Sequence, residues 1–199
     1  GGFDVVIGNP PYIQLQKFKG DSVQESLKRH GYSVYDSNGD IYCLFYEKGL
    51  SELCNNGVLC YITSNKWMRA GYGKILREFF SKYKVISLIE LGPGVFKNAT
   101  VDTNIILIKN KRGNYNTKAL KLQSMETYNN LIDEFKSNSI TISNLSSNSW
   151  NILTEEENSL ISKIDSISKP LKDWNIKIYR GILTGLNEAF IINQTTYKK

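Results

Sequence analysis

Four short apolar runs constrain the fold of this chain more than any other feature of its sequence. They cover residues 3–8, 58–63, 85–91 and 103–108. Apolar runs without polar alternation are typical of strands that are buried on both faces of a sheet. The intervening residues 40–55 and 72–83 repeat their apolar side chains at helical spacing, with Asp40 as the expected N-cap of the first helix. This alternation predicts an α/β protein whose parallel sheet is covered by helices.

The rest of the chain is more polar. Residues 13–39 are mixed in character and predict a surface loop with a short helix over 21–29. The later pattern predicts a strand over 117–123, amphipathic helices over 125–135 and 155–168, a Ser/Asn-rich loop over 137–149, and two strand-like runs within 176–193.

Composition narrows the classes of function. The 199 residues carry a formal net charge of +6, which favours a polyanionic partner such as nucleic acid without requiring one. The three cysteines, Cys43, Cys54 and Cys60, lie in apolar stretches without a Cys-x-x-Cys pair, which indicates buried reduced thiols in a cytoplasmic protein. Because His30 is the single histidine, a zinc site or a His-based nucleophile is not expected. No run is long enough to span a membrane, so no membrane partner is expected.

Residues 9–12, Asn-Pro-Pro-Tyr, follow the first predicted strand directly. Ligands of open α/β sheets bind at the carboxyl ends of the strands. Pro10 and Pro11 have no backbone N–H and so remove two donors. The remaining polar groups, the Asn9 side-chain oxygen and the Pro10 carbonyl, make a site rich in acceptors beside the flat ring of Tyr12. Two acceptors suit the two hydrogens of an NH₂ group and turn its nitrogen lone pair towards an electrophile. Catalysis at such a site depends mainly on orientation and electrostatic placement.

This tetrapeptide resembles motif IV of the amino-methyltransferases. The chain as a whole is similar to the adenine-specific DNA methyltransferases of restriction–modification systems, including fused restriction–methylation enzymes. The other segments that carry the resemblance are residues 40–45, 56–68, 94–105 and 179–190. It implies a partial Rossmann-like sheet of an S-adenosylmethionine-dependent methyltransferase, its C-terminal half, followed by a helical connector. The implied domains are this half over residues 1–124, the connector over 125–174 and the start of a target-recognition domain over 175–199.

The resemblance also implies roles for particular residues. Asn9 and Pro10 would hold the adenine N6 amino group within the catalytic Asn9–Tyr12 segment, Tyr12 would stack on the base and Phe96 would pack against it. The substrate would be double-stranded DNA with the target base flipped out of the helix. Four basic residues in loops after strand ends are candidates for phosphate contacts: Lys17, Lys19, Lys66 and Arg69. Trp67 is expected to pack against the sheet.

The related enzymes bind S-adenosylmethionine through an earlier strand and a glycine-rich turn, and neither precedes Asn9. Glu90-Leu91-Gly92-Pro93-Gly94 resembles such a turn superficially, but no acidic-ended strand follows it at suitable spacing. The expected arrangement is therefore a fragment or one subunit of a split enzyme. Its cofactor-binding half would lie upstream in the same chain or in a partner chain. Asn9 and Tyr12 could line one side of the cofactor's methyl group.

Several acceptors and one different class of function stay open. Cytosine N4, an rRNA guanine and a protein glutamine all present an NH₂ group to the same pair of acceptors. A non-catalytic DNA-binding or specificity module is the alternative outside enzymes. Residues 133–136 contain the letters of a nuclease cluster, but their spacing is wrong and they lie in a predicted helix.

Overall fold

The computed structural model describes residues 1–92, 94–96, 101–122 and 130–177. Its strands form one six-stranded sheet: β1 (Phe3–Gly8), β2 (Leu53–Ser64), β3 (Tyr83–Gly92), β4 (Thr103–Arg112), β5 (Thr117–Lys121) and β6 (Ile140–Ile142). The helices are α1 (Ser22–Arg29), α2 (Tyr42–Ser51), α3 (Gly73–Ser81), α4 (Leu131–Asn138) and α5 (Glu155–Ile167). The first residues of the helix predicted over 125–135 and most of the segment 175–199 lie outside the described residues.

The spatial order of the strands is β1-β2-β4-β3-β5-β6. The pairs β1–β2 and β3–β5 are parallel, whereas β2–β4, β3–β4 and β5–β6 are antiparallel. The α/β class is confirmed, but the sheet is mixed where the alternation of elements predicted a parallel one. The reason is the short connection of residues 93–102 between β3 and β4, because parallel neighbours need a longer crossover, usually a helix.

Two elements differ from the predictions. The first core helix begins at Tyr42 and ends at Ser51, so Ile41 and not Asp40 occupies its N-cap position. The Asp40 carboxylate instead accepts a hydrogen bond from the Tyr72 hydroxyl. The predicted loop 137–149 contains β6, whose two isoleucines flank a threonine and pair with β5. Three residues are too few for a periodic signal.

The core is built around interlocked aromatic rings on one face of the sheet. Tyr46 and Phe80 lie with ring centroids 4.9 Å apart, and Trp67 contacts Phe80 and Trp150 at 5.1 and 5.2 Å, all edge to face. Trp67 is fully buried, as predicted. Its indole Nε1 donates to the Asn104 side-chain oxygen at 3.1 Å.

By its internal contacts the chain divides into two units, Gly1–Thr154 and Glu155–Lys199. The first unit holds the whole sheet, including β6, and the core residues Trp150 and Ile152. The second contains α5. The described residues contain no helix that is long and apolar enough to cross a membrane.

All three cysteines are free, but only one is fully buried. Burial raises the pKa of the Cys43 thiol to about 12. Cys54 and Cys60 are half-buried, so the prediction of three buried thiols is correct for Cys43 alone.

The edge strand β1 leaves one row of apolar side chains uncovered. Phe3 and Val5 are each 61% exposed and Ile7 is 76% exposed, while the intervening Val6 packs against the core. Large side chains in a row of this kind mark a surface that is suited to further packing.

Candidate active site

The strands place several loops at one edge of the sheet. β1, β2 and β3 end there and β4 begins there, because Ser64 of β2 and Gly92 of β3 both pair with Thr103, the first residue of β4. The chain leaves β1 at Gly8 and continues directly into Asn9. The predicted motif therefore lies at the ligand-binding edge of an α/β sheet.

A pocket of about 290 Å³ lies at this edge, and its lining consists of Asn9, Pro10, Pro11, Tyr12 and Phe96. Pro10 is buried, Asn9 is exposed and Tyr12 is half-buried, so polar acceptors and an aromatic ring face the same space. Phe96 lies 84 residues from Tyr12 in sequence, and its ring centroid is 6.3 Å from that of Tyr12 at an interplanar angle of 70°. The structure thus brings together the residues expected to hold and pack a base.

The hydroxyl of Tyr12 contacts β2 and not another residue that lines this pocket. The hydroxyl donates to the Ile62 carbonyl at 3.4 Å, a long and weak hydrogen bond. Burial raises the pKa of Tyr12 to about 12, so the phenol is neutral at physiological pH. A neutral ring suits stacking against a planar group.

A buried support behind Tyr12 was not predicted from the sequence. The ring of Tyr42 lies edge-on to Tyr12, with centroids 6.0 Å apart and an interplanar angle of 79°. The Tyr42 hydroxyl lies 2.9 Å from the Tyr72 hydroxyl, which donates to the Asp40 carboxylate at 2.9 Å. Since Tyr72 gives its proton to Asp40, Tyr42 must donate to Tyr72. These partners are 30 or more residues apart, so no local pattern in the sequence signals them.

A second, polar pocket of about 280 Å³ shares Tyr12 with the first. Its other lining residues are Gln14, Lys17, Asp40, Ser64, Lys66 and Val101. Two of the four basic residues predicted to contact phosphate are therefore brought together. Lys19 lines a different pocket, with Gln16, Gln24, Ser37 and Asn38.

Arg69 has an intramolecular role that the sequence did not indicate. Its Nη2 lies 2.9 and 3.0 Å from the two carboxylate oxygens of Glu90, and its Nε donates to the Asn151 side-chain oxygen at 3.0 Å. Glu90 is only 5% exposed and also accepts from Asn65 at 2.7 Å. A buried carboxylate needs such partners, and Arg69 supplies one of them. The predicted contact of Arg69 with DNA phosphate stays a prediction.

The segment that resembles a glycine-rich turn in sequence begins inside β3, at Glu90. The Glu90 carboxylate accepts hydrogen bonds from Asn65 and Arg69, and Gly92 is the last residue of β3 with φ 76°.

The nuclease-like residues 133–136 lie within α4. In the described ranges no group of three or more His, Cys, Asp or Glu side chains could hold a metal ion.

Comparison with known proteins agrees with this geometry. Residues 1–96 match the family described as Eco57I restriction-modification methylase. The chain is 29% identical over 195 residues to the type II restriction enzyme and methyltransferase RM.Eco57I of Escherichia coli, which covers 95% of this chain and 19% of that protein. It is 25% identical over 210 residues to the type II methyltransferase M.AccI of Acinetobacter calcoaceticus, covering 99% of this chain and 38% of that protein. The chain thus spans well under half the length of these relatives.

A solved structure shows the same fold. The ATP-dependent Type ISP restriction-modification enzyme LlaBIII bound to DNA superposes with a TM-score of 0.53 at 19% identity, over 69% of this chain and 12% of that one. In sequence this chain is similar to methyltransferases of restriction–modification systems, and in fold it is similar to the restriction–modification enzyme LlaBIII.

Proposed function

We propose that this chain forms the target-base site of a DNA methyltransferase that modifies the N6 amino group of a flipped adenine. The observation that carries the proposal is the pocket at the end of β1, where Asn9, Pro10, Tyr12 and Phe96 converge. The DNA methyltransferases among the relatives support methyl transfer as the reaction. The catalytic segment is Asn9–Tyr12, in which Pro11 keeps the backbone extended and without a donor.

The acceptors of this pocket act on the amino group. The Asn9 Oδ1 and the Pro10 carbonyl oxygen accept its two N–H hydrogens. This rotates the nitrogen lone pair out of conjugation with the purine ring and aims it across the pocket. S-Adenosylmethionine supplies an electrophilic methyl group when bound. The proton becomes acidic only after the new N–C bond has formed, so Asn9 and Pro10 need to hold the group and not to deprotonate it first.

The two aromatic rings hold the base that carries the amino group. The attacked nitrogen is otherwise inside the duplex, so the nucleotide must leave the stack, which costs a few kcal/mol. Tyr12 offsets part of this cost by stacking, which is worth roughly 1–3 kcal/mol per base on an aromatic side chain. Phe96, 6.3 Å from Tyr12, closes the pocket from the loop after β3.

The main contacts to S-adenosylmethionine are proposed to come from a cofactor-binding segment outside these 199 residues, in the same or a partner chain. The uncovered row of Phe3, Val5 and Ile7 on β1 supports this, since it offers an apolar surface next to Asn9. Asn9 and Tyr12 would then line only the methyl side of the cofactor. Calorimetric titration of this chain alone should detect no binding of S-adenosylmethionine, and micromolar binding would contradict this part of the proposal.

The similarity to the adenine-specific methyltransferase PglX of Lacticaseibacillus casei, 26% identical over 66% of this chain, supports adenine N6 as the acceptor. The pocket itself would also accept cytosine N4, an rRNA guanine or a protein glutamine. Incubation of the full-length protein with labelled S-adenosylmethionine and DNA, RNA or protein separates these acceptors. We expect label in DNA, and N6-methyldeoxyadenosine after digestion to nucleosides. Label in N4-methyldeoxycytidine, or in RNA or protein alone, would replace the proposed acceptor.

A non-catalytic DNA-binding module is the remaining alternative. It would bind DNA but incorporate no label into any of the three acceptors, so the same experiment distinguishes it.

A further inference from the structure

We propose that the polar pocket beside Tyr12 binds the DNA phosphodiester next to the flipped nucleotide, through the ammonium groups of Lys17 and Lys66. The inference rests on the proposed function and deepens it, because it assigns the neighbouring pocket to the backbone of the same strand. The shared wall carries the argument: Tyr12 lines both pockets.

The two lysines are brought to this pocket by short helices that follow strand ends. Lys17 lies in a 3₁₀ helix over Leu15–Phe18, and Lys66 lies in one over Asn65–Met68 that begins directly after β2. The Ser64 hydroxyl accepts a hydrogen bond from the Lys66 backbone N–H at 3.3 Å, which ties this turn to the strand. The ammonium groups therefore extend from fixed backbone at the ligand-binding edge.

The opposite wall is also held in place. Gln14 and Asp40 form an isolated antiparallel bridge. It is closed by hydrogen bonds from Leu15 N to the Gly39 carbonyl at 2.9 Å and from Ile41 N to the Ile13 carbonyl at 2.8 Å. Such a pocket is preformed, and a preformed site loses less conformational entropy when a ligand binds.

The charge of the pocket favours an anion. Within the described part of the chain, neither Lys17 nor Lys66 forms an ion pair or a side-chain hydrogen bond. Asp40 is the acidic residue of the lining, and one of its oxygens already accepts from the Tyr72 hydroxyl. Two unpaired ammonium groups and one carboxylate, which already accepts a hydrogen bond, give the pocket a net positive charge. Lysine binds phosphate well as a point charge.

The other predicted phosphate contacts do not share this arrangement. Lys19 lines a separate pocket away from Tyr12, and the Arg69 guanidinium is bound by Glu90 and Asn151. The structure thus selects two of the four basic residues, and these two adjoin the base pocket.

The test is the salt dependence of DNA binding by the full-length protein. Each phosphate contact contributes about 0.9 to the slope of log affinity against log salt concentration, so Lys17→Gln and Lys66→Gln should each reduce the slope by about that amount. Between about 50 and about 200 mM salt, the wild type should lose about 3.5-fold more affinity than either variant. Both variants should weaken binding to all DNA sequences alike.

Lys111→Gln is the matched control. It removes the same charge near the last residue of β4, whose first residue is the one that lies near the pocket. Lys111 lies there 5.9 Å from the centroid of the Tyr115 ring. Its slope should equal that of the wild type. Unchanged slopes for Lys17→Gln and Lys66→Gln would overturn the inference, as would an equal reduction for Lys111→Gln. Wild-type protein that neither binds nor methylates DNA would instead overturn the proposed function.

Discussion

Tyr12 is the residue at which the two pockets of the sheet edge meet. Its ring is half-buried between Tyr42 and Phe96, and its hydroxyl makes only a 3.4 Å contact with the Ile62 carbonyl. The ring and the hydroxyl should therefore contribute unequally to function. The stacking surface is the larger contribution, because base–aromatic stacking is worth roughly 1–3 kcal/mol.

Replacement of Tyr12 separates these contributions. Tyr12→Phe should keep the methylation rate of the full-length protein within about threefold, since the hydrogen bond that it removes is long. Tyr12→Ala should lower kcat/KM by about 5- to 150-fold, the equivalent of 1–3 kcal/mol. Fluorescence of 2-aminopurine at the target position would follow base flipping in parallel. An equal loss of kcat/KM in both variants would show that the hydroxyl, and not the ring, makes the main contribution to methylation.

The hydroxyl of Tyr72 holds the support behind Tyr12. In Tyr72→Phe the Asp40 carboxylate loses its donor and the buried Tyr42 hydroxyl loses its acceptor. Leaving a buried polar group unsatisfied costs about 1–3 kcal/mol, so urea unfolding should show a loss of that size. Tyr32→Phe is the control, because the Tyr32 hydroxyl has no hydrogen bond to any described residue. Equal stability of the two variants would contradict the proposed support.

At the scale of elements, apolar runs predicted the strands, and apolar side chains at helical spacing predicted the helices. The runs at Val58–Thr63 and Val85–Leu91 lie within β2 and β3. The position of β4 between β2 and β3 could not be predicted in the same way, since it depends on a pairing partner distant in sequence. The three-residue β6 is too short to give a periodic signal. The same holds for the site: Asn9–Tyr12 is a local signal, whereas Tyr42 and Arg69 acquire their roles only through tertiary contacts.

The start of α3 approaches the 3₁₀ helix that carries Lys66 without space for a side chain. A Cβ atom on Gly73 would lie 1.9 Å from the Trp67 carbonyl oxygen, which also accepts from Arg77. Gly73→Ala should therefore lower the free energy of unfolding by about 1–3 kcal/mol despite the better helix propensity of alanine.

Gly71→Ala is the control for that substitution, since a Cβ atom there meets nothing within 4 Å. It should leave the unfolding free energy unchanged or slightly raised. Thermal unfolding of both variants measures the difference. A Gly73→Ala variant as stable as Gly71→Ala would show that α3 and the 3₁₀ helix are not packed as described.

At the scale of the whole molecule, the core contains phenols that ionise only with difficulty. Burial raises the pKa of Tyr42 and Tyr46 well above the ordinary value of 10.0. Above pH 10 the unfolded chain loses these protons while the folded protein keeps them. Stability therefore falls as the pH rises, by about 1.4 kcal/mol per pH unit for each such phenol.

This predicts a cooperative alkaline transition. Phenolate absorbance of the buried tyrosines should appear together with the loss of circular dichroism, rather than as a gradual titration of the folded protein. Tyr46→Phe should move the transition to higher pH, because it removes one of the phenols whose ionisation favours the unfolded state. Phenolate formation that is complete while the dichroism is still native would contradict the described burial.

In the proposed function, methyl transfer by the whole molecule depends on Asn9, and Asn9→Ala in the full-length protein tests this role most directly. The side chain is exposed at the end of β1, so the fold should survive. Methyl incorporation into DNA should fall by at least about 100-fold, as for the loss of one preorganised polar group at a reacting centre. Asn55→Ala, an exposed asparagine near the start of β2, should methylate at the wild-type rate. If Asn9→Ala methylates DNA as fast as that control, the pocket at the end of β1 is not the site of methyl transfer.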